Sequence, residues 1–378
     1  MRVYLDNAAT TAIDEQVLQE MMVVMREAYG NPSSIHADGR KVRTIIEKAR
    51  KKVASLLNTS PAEIFFTSGG TEADNTAIKR GILDNKLSHA ISSPLEHHAV
   101  LHTLQELEKE GIIRLTLLDV DSKGHIDLFQ LEKLLQENPR SFVSLMHANN
   151  EIGTVTDIQK VSDICAAYGA LFHTDTVQTM GHFVHDLREL KVDFLAGAAH
   201  KFHGPKGVGF LYINHEVKIK PFINGGAQER NMRGGTENVY GIVGLAKALE
   251  IAYEHMAEHR AYIQGLKDYM RKELVQHIPG VSFNGEQVTD QSLYTVLNVS
   301  FPPTDLADML LFNLDISGIS ASGGSACSSG SNIGSHVLTA IGVDANRPSV
   351  RFSFSKFNTK EEIDFTVSKL KEVCLEKV

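Results

Sequence analysis

The sequence predicts an α/β fold: a mostly parallel, seven-stranded sheet covered by helices, followed by a smaller α/β domain. Three observations predict it. Short apolar runs at 63–66, 89–92, 115–119, 142–147, 170–174, 193–196 and 208–213 alternate with amphipathic segments, the pattern of a parallel sheet with both faces covered. The chain has 378 residues, more than one simple core accommodates. After Gly235 the alternation gives way to a long helical stretch over 237–276, and a second set of elements follows it.

Within the first set, the segment 41–57 shows the helical period most clearly, with Val42, Ile45, Ile46, Ala49, Val53, Leu56 and Leu57 on one face. The later set comprises strands at 294–301, 316–320 and 349–354 and helices at 305–314, 335–341 and 360–376. The expected division is a large domain over 15–257 and a small one made of 1–14 and 258–378. The small domain carries a Gly/Ser-rich loop at about 320–334, a composition that reads as flexible.

Composition narrows the function. Apolar residues make up 42% and charged residues 22%, ordinary for a globular protein. The net charge is −8 and no basic block stands out, which argues against nucleic acid as the main ligand. No run approaches the ~18 apolar residues of a membrane span. The segment Met1-Arg2-Val3-Tyr4-Leu5-Asp6-Asn7 lacks the apolar region of a secretion signal. Three cysteines, Cys165, Cys327 and Cys374, are too few and too scattered for a disulfide framework or a zinc site. A cytoplasmic location is expected.

In open α/β sheets, function sits at the carboxyl ends of the strands. Gly69-Gly70-Thr71-Glu72, Asp175, Gln178 and Lys201 all fall there. Lys201 lies among small and apolar residues, Ala198-Ala199-His200-Lys201-Phe202-His203-Gly204, 26 residues after Asp175. A strand-end aspartate and a lysine in a glycine-rich turn are what pyridoxal phosphate needs. The lysine takes the aldehyde as a Schiff base, and the carboxylate keeps the ring nitrogen protonated so that the ring accepts electrons. Glycines at 69 and 70 ahead of a helix make a phosphate cradle or an ordinary N-cap. The same letters recur at Gly234-Gly235-Thr236-Glu237. His97 is either a ring-stacking proton carrier or a capping histidine. His98 and His102 have the spacing of a helical metal pair without an evident third ligand, and no metal site is expected. Cys327, on the Gly/Ser loop, is placed as a travelling nucleophile would be. Arg351, in an apolar strand, needs a carboxylate from the protein or from a substrate.

Taken together these pieces resemble the cysteine desulfurases, the NifS/IscS-like branch of fold-type I pyridoxal phosphate enzymes. The resemblance runs nearly end to end, through Tyr4-Leu5-Asp6-Asn7-Ala8-Ala9, Gly30-Asn31-Pro32, Thr67-Ser68-Gly69-Gly70-Thr71-Glu72, Glu96-His97-His98, Asn149-Asn150-Glu151, His173-Thr174-Asp175-Thr176-Val177-Gln178, His200-Lys201, Arg233-Gly234-Gly235-Thr236, Ser325-Ala326-Cys327-Ser328 and Arg351-Phe352-Ser353. It implies conversion of L-cysteine to L-alanine with sulfur passing to Cys327 as a persulfide. A selenocysteine lyase or another enzyme of the same fold is the alternative.

By resemblance Lys201 bonds the cofactor aldehyde, Asp175 meets the ring nitrogen, Gln178 the ring hydroxyl, and His97 stacks on the ring. Gly70, Thr71 and His200 surround the phosphate, and Thr236 reaches it from the partner subunit of a homodimer. Asn31, Asn150 and Arg351 form the substrate carboxylate site, with Asn150 also beside the cofactor. A sulfur-acceptor protein, such as an iron–sulfur scaffold, is the implied partner. The chain departs from the pattern at Ala198, where the family usually has a hydroxyl to the phosphate. It lacks the His-His-Cys motif of the SufS-like branch, which favours the NifS/IscS-like one.

Overall fold

The computed structural model describes residues 1–303, 309–323 and 334–375. Cys327 and most of its loop therefore lie outside the described residues, as does the start of the helix expected at 305–314. Strand β1 (Val3–Tyr4) lies apart from the main sheet. That sheet contains β2 (Ile64–Thr67), β3 (His89–Ser92), β4 (Arg114–Leu117), β5 (Phe142–Ser144), β6 (Leu171–Asp175), β7 (Phe194–Ala198) and β8 (Gly209–Ile213). Their spatial order is β2-β8-β7-β6-β5-β3-β4. β8 runs antiparallel to both neighbours, and every other pair is parallel. The mostly parallel, seven-stranded sheet is as the sequence predicts.

Helices α1 (Glu15–Glu27), α2 (Ala37–Leu56), α3 (Gly70–Asp84), α4 (His98–Lys109), α5 (Leu128–Glu137), α6 (Ile158–Tyr168) and α7 (Val239–Glu254) belong to the same region. α1 and α2 both pack on α7 over one face of the sheet, while α3 and α4 pack over the other. α3 comes unusually close to the strands. A Cβ at Gly81 would meet Phe142 Cε2 at 2.7 Å, so only glycine permits that approach. The sheet's core includes Phe142, Phe172, Phe194 and Phe210, all fully buried. Truncating any one to alanine should cost about 3–5 kcal/mol.

The stretch over 237–276, read as one long helix, is two. α7 ends at Glu254, and α8 (Met256–His277) begins after His255, whose φ −107°, ψ 15° breaks the helical path. The break separates two cores: α7 packs with the sheet, while Ile263, Met270 and Leu274 of α8 join Val3, Leu5, Val299, Phe301, Phe352 and Leu370. The second core contains an antiparallel sheet of β9 (Ser282–Asn284), β10 (Val296–Ser300) and β12 (Ser349–Ser353), in the order β12-β10-β9. β11 (Ile319–Ser320) pairs with β1 in parallel. Helices α9 (Leu310–Ile316), α10 (His336–Ala340) and α11 (Lys360–Leu375) complete the described residues. Among them, no helix is long and apolar enough to cross a membrane.

Candidate active site

At the carboxyl ends of β6 and β7 a cavity of about 230 Å³ opens between the two cores. It is lined by Gly70, Thr71, His97, Asn150, Asp175, Gln178, His200, Lys201 and Arg351, nine of the residues singled out from the sequence. Their convergence follows from the fold. Asp175 is the last residue of β6, Lys201 sits in a 3-10 turn directly after β7, and α3 starts at Gly70 directly after β2.

Lys201 Nζ donates to the carbonyls of Ala8 (2.5 Å) and Ala9 (2.9 Å), so the N-terminal segment helps to place the amine. Gln178 Nε2 donates to the same Ala8 carbonyl at 3.0 Å. Asp175 accepts the Val177 N–H at 2.8 Å. Burial pushes its carboxyl up to about 7, and any negative charge on nearby Asp74 acts in the same direction. A buried carboxyl in that condition is suited to a ligand bearing a cationic N–H, which would stabilise its ionised form.

The first turn of α3 forms another wall. Gly69 supplies no side-chain cap, so the N–H groups of that turn face the cavity end without one. A Cβ at Gly70 would meet Val177 Cγ2 at 2.7 Å, which makes glycine necessary where the backbone closes on the site. Glu72, the acidic residue of this turn, is turned to other partners: Oε2 accepts the Ser68 N–H at 2.9 Å, and Arg233 Nε lies 3.0 Å from Oε1. Its charge is thereby neutralised and the positive end of the helix remains available to an anion. His200 hydrogen-bonds Thr10 Oγ1 through Nδ1 at 3.3 Å. Burial and the Lys201 charge bring its imidazole down to about 4.

The structure gives His97 the capping role and a place in the cavity wall: it caps α4, with Nδ1 accepting the Ala99 N–H at 3.1 Å. Acceptance at Nδ1 fixes the neutral tautomer with the proton on Nε2. Burial and then the Lys201 charge hold the ring down to about 4, so it is neutral at physiological pH.

Arg351, on β12, is buried. It donates from Nη1 to the Asn150 carbonyl (3.0 Å) and from Nη2 to Asp6 Oδ1 (2.8 Å). Among the described residues its Nε has no hydrogen-bond partner. The carboxylate it needs is thus already present in the protein, and Asp6 also accepts the Ser322 hydroxyl at 2.9 Å. Asn31 and Thr236 are not brought here. Asn31 is exposed and its side chain accepts the Ser33 N–H at 2.9 Å. Thr236 is exposed beside Ser68 and Arg233, in a separate hollow. Three contributors escaped sequence reading: Asp6, the Ala8 and Ala9 carbonyls, and Asp74 in the cavity wall. Among the described residues no group of three side chains could hold a metal ion, and His98 and His102 stack ring on ring instead.

The residues present fit pyridoxal phosphate. The helix end with Thr71 and His200 accommodates a phosphate, the buried Asp175 a protonated ring nitrogen, and Lys201 the aldehyde. Ala198, buried in the wall, adds only a methyl group.

Comparison with known proteins agrees. The family model for class-V aminotransferases matches residues 3–365. A curated relative, cysteine desulfurase IscS of Dictyoglomus turgidum, is 45% identical over 98% of this chain and 94% of its own length. Putative cysteine desulfurase IscS 1 of Bacillus subtilis is 42% identical over 96% of each. Among solved structures, a NifS-like protein superposes with a TM-score of 0.91 at 41% identity, covering 99% of both chains. A structure described as SspA in complex with cysteine gives a TM-score of 0.82 at 32% identity over 95% of this chain and 100% of that one.

Proposed function

The chain belongs to the class-V aminotransferase family, among its pyridoxal phosphate-dependent cysteine desulfurases, and from that premise we propose how its own residues perform the reaction. It converts L-cysteine to L-alanine and passes the sulfur to Cys327. The observation that carries this reading is the pairing of an amine, Lys201, with a buried carboxyl, Asp175, in the walls of one cavity at the strand ends.

When bound, pyridoxal phosphate supplies an electron sink next to the substrate α-carbon. Asp175 orients its ring and keeps the ring nitrogen protonated. Thr71, His200 and the backbone at Gly70 would bind its phosphate, Gln178 its ring hydroxyl, and neutral His97 would cover the ring face. Arg351, with Asn150, takes the substrate carboxylate, Asp6 yielding part of its hold on the guanidinium; Asn31, exposed in the single chain, joins them only if its segment moves to the cavity. Lys201 would hold the aldehyde and carry protons at the substrate carbons. The Cys327 thiolate attacks the substrate sulfur: an S–S bond forms as the C–S bond breaks. The electron pair stays with carbon, where a proton completes alanine.

Purified protein should release alanine from L-cysteine in equal amount with sulfide when a thiol reductant is supplied. Alanine without matching sulfur would contradict this chemistry. Arg351→Lys should raise KM for L-cysteine by about tenfold to a hundredfold, with a smaller effect on kcat, because a point charge replaces a planar fork. An unchanged KM would remove Arg351 from the carboxylate site.

The remaining assignments belong to the same reading. The division into domains over 15–257 and over 1–14 with 258–378 is supported by the two cores that meet near His255. A homodimer is supported by the apolar side chains that α1 and the segment after it leave exposed, including Met22, Met25, Tyr29 and Ile35. Thr236, exposed in its own hollow, then reaches the partner's phosphate site. A cytoplasmic location and delivery of the persulfide sulfur to an acceptor protein complete the proposal.

A further inference from the structure

Asp74 has no part in the chemistry above, yet it is almost fully buried on α3 in the wall that also holds Asp175. Its Oδ1 lies 3.3 Å from Nε2 of His173, a fully buried residue two positions before Asp175 on β6. Among the described residues neither atom has a hydrogen-bond partner as the groups stand; at 3.3 Å they are within hydrogen-bond reach once the carboxyl turns into line with the ring nitrogen. On its other side His173 Nδ1 lies 2.8 Å from Ser144 Oγ on β5. The three side chains form one line from α3 across two strands, directly behind the residue that meets the cofactor's ring nitrogen.

Two protonation patterns satisfy that line. In the first, Asp74 is ionised and accepts from His173 Nε2, with His173 either an imidazolium or the neutral tautomer whose Nδ1 accepts the Ser144 hydroxyl; both place a second anion beside Asp175. In the second, every member is neutral, and each contact has one donor and one acceptor. The surroundings decide between them. Glu96, also fully enclosed, lies close enough that Asp74 and Asp175 both raise its carboxyl. Two groups lower Asp175: His173, which does so only as an imidazolium, and Lys201, which donates to the carbonyls of Ala8 and Ala9. His97, from the start of α4, is neutral. No cation faces Asp74 to hold a second negative charge among the groups that perturb it, and burial alone pushes its carboxyl up to about 8. Burial likewise brings His173 down to about 4, against an imidazolium.

We propose that Asp74 is a protonated positioning residue: its carboxylic acid donates to His173 Nε2, His173 Nδ1 donates to Ser144 Oγ, and Asp175 is left as the single anion of the ring-nitrogen site. The assignment of Asp175 rests on the pyridoxal phosphate reading, but the protonation of Asp74 does not. Holding His173 by a neutral donor keeps β6 and its terminal carboxylate in place without adding charge where the cofactor needs one defined partner.

The test compares full-length wild type with Asp74→Asn and Asp74→Leu, each with and without bound pyridoxal phosphate. Asparagine keeps a neutral donor to His173 and loses the titrating proton; leucine loses both. The infrared spectrum of the wild type near neutral pH should contain a protonated-carboxyl C=O band that Asp74→Asn lacks and that fades as the pH rises through about 8. The stability sign follows from linkage. Between the unfolded carboxyl pKa of about 4 and the folded value of about 8, the native state holds a proton that the unfolded state has lost, so wild-type stability falls as pH rises. Asp74→Asn should lack that share of the slope and match or exceed wild type at alkaline pH, while Asp74→Leu should melt lower at every pH. Absence of the band difference, or an Asp74→Asn protein as damaged as Asp74→Leu, would overturn the assignment. Because both readouts are taken also without cofactor, failure of pyridoxal phosphate to bind would appear separately and leave them intact.

Discussion

Replacing Lys201 by alanine is expected to abolish turnover of L-cysteine and to remove the covalent hold on pyridoxal phosphate. The amine does two things that no neighbour duplicates in this geometry. In the proposed reaction it takes the aldehyde and moves protons at the substrate carbons, the latter a contribution of about 10²–10⁴ in rate by itself. Its position is set by the carbonyls of Ala8 and Ala9, which keep Nζ in the cavity. The phosphate and ring-nitrogen contacts do not involve Lys201, so the variant should still bind the cofactor, now reversibly. Dialysis should therefore strip it from the variant and not from wild type, and single-turnover assays should show the rate loss. A variant that still turns over within about tenfold of wild type would mean that another group is the base.

The second large effect falls on Cys327. Cys327→Ala should leave the cofactor spectrum unchanged and lose desulfuration of L-cysteine to below about one part in a hundred. The two described thiols make poor substitutes. Cys165 is buried in α6, and burial drives its thiol far above the ordinary range. Cys374 is half-buried on α11 and pushed up to about 11 by burial, so at neutral pH only about one in 10⁴ is thiolate. Mass spectrometry of wild type after one turnover without reductant should find the extra sulfur on the peptide containing Cys327. Wild-type desulfuration by Cys327→Ala would refute the thiol's role.

Much of this was legible in the chain because the elements that build the site are apolar on both faces. The strand over 89–92 has the bounds read from its hydrophobic run, and β6 and β7 differ from expectation by a residue or two at their ends. A buried parallel strand has no polar face to blur its limits. The break at His255 was not legible, since residues 250–260 around it contain no glycine or proline to mark a helix end and the apolar residues continue through both helices. β1, of two residues, and β9, of three, are too short for any period to declare itself.

The site divides in the same way. Lys201, Asp175 and Gly70 were visible because residue type and strand-end position coincide. Asp74 was not, because a helical period cannot say which side chain of α3 meets the cavity. The Asp6–Arg351 pair joins positions 345 apart and exists only once β12 and the N-terminal segment share a core. Asn31 and Thr236 were named by resemblance, and the single chain leaves both on its surface.

The most direct measurement of the central claim is peptide mapping after borohydride reduction of the purified protein. One pyridoxyl group per chain is expected, on the peptide that contains Lys201. A label on any other lysine, or a protein that retains none, would contradict it.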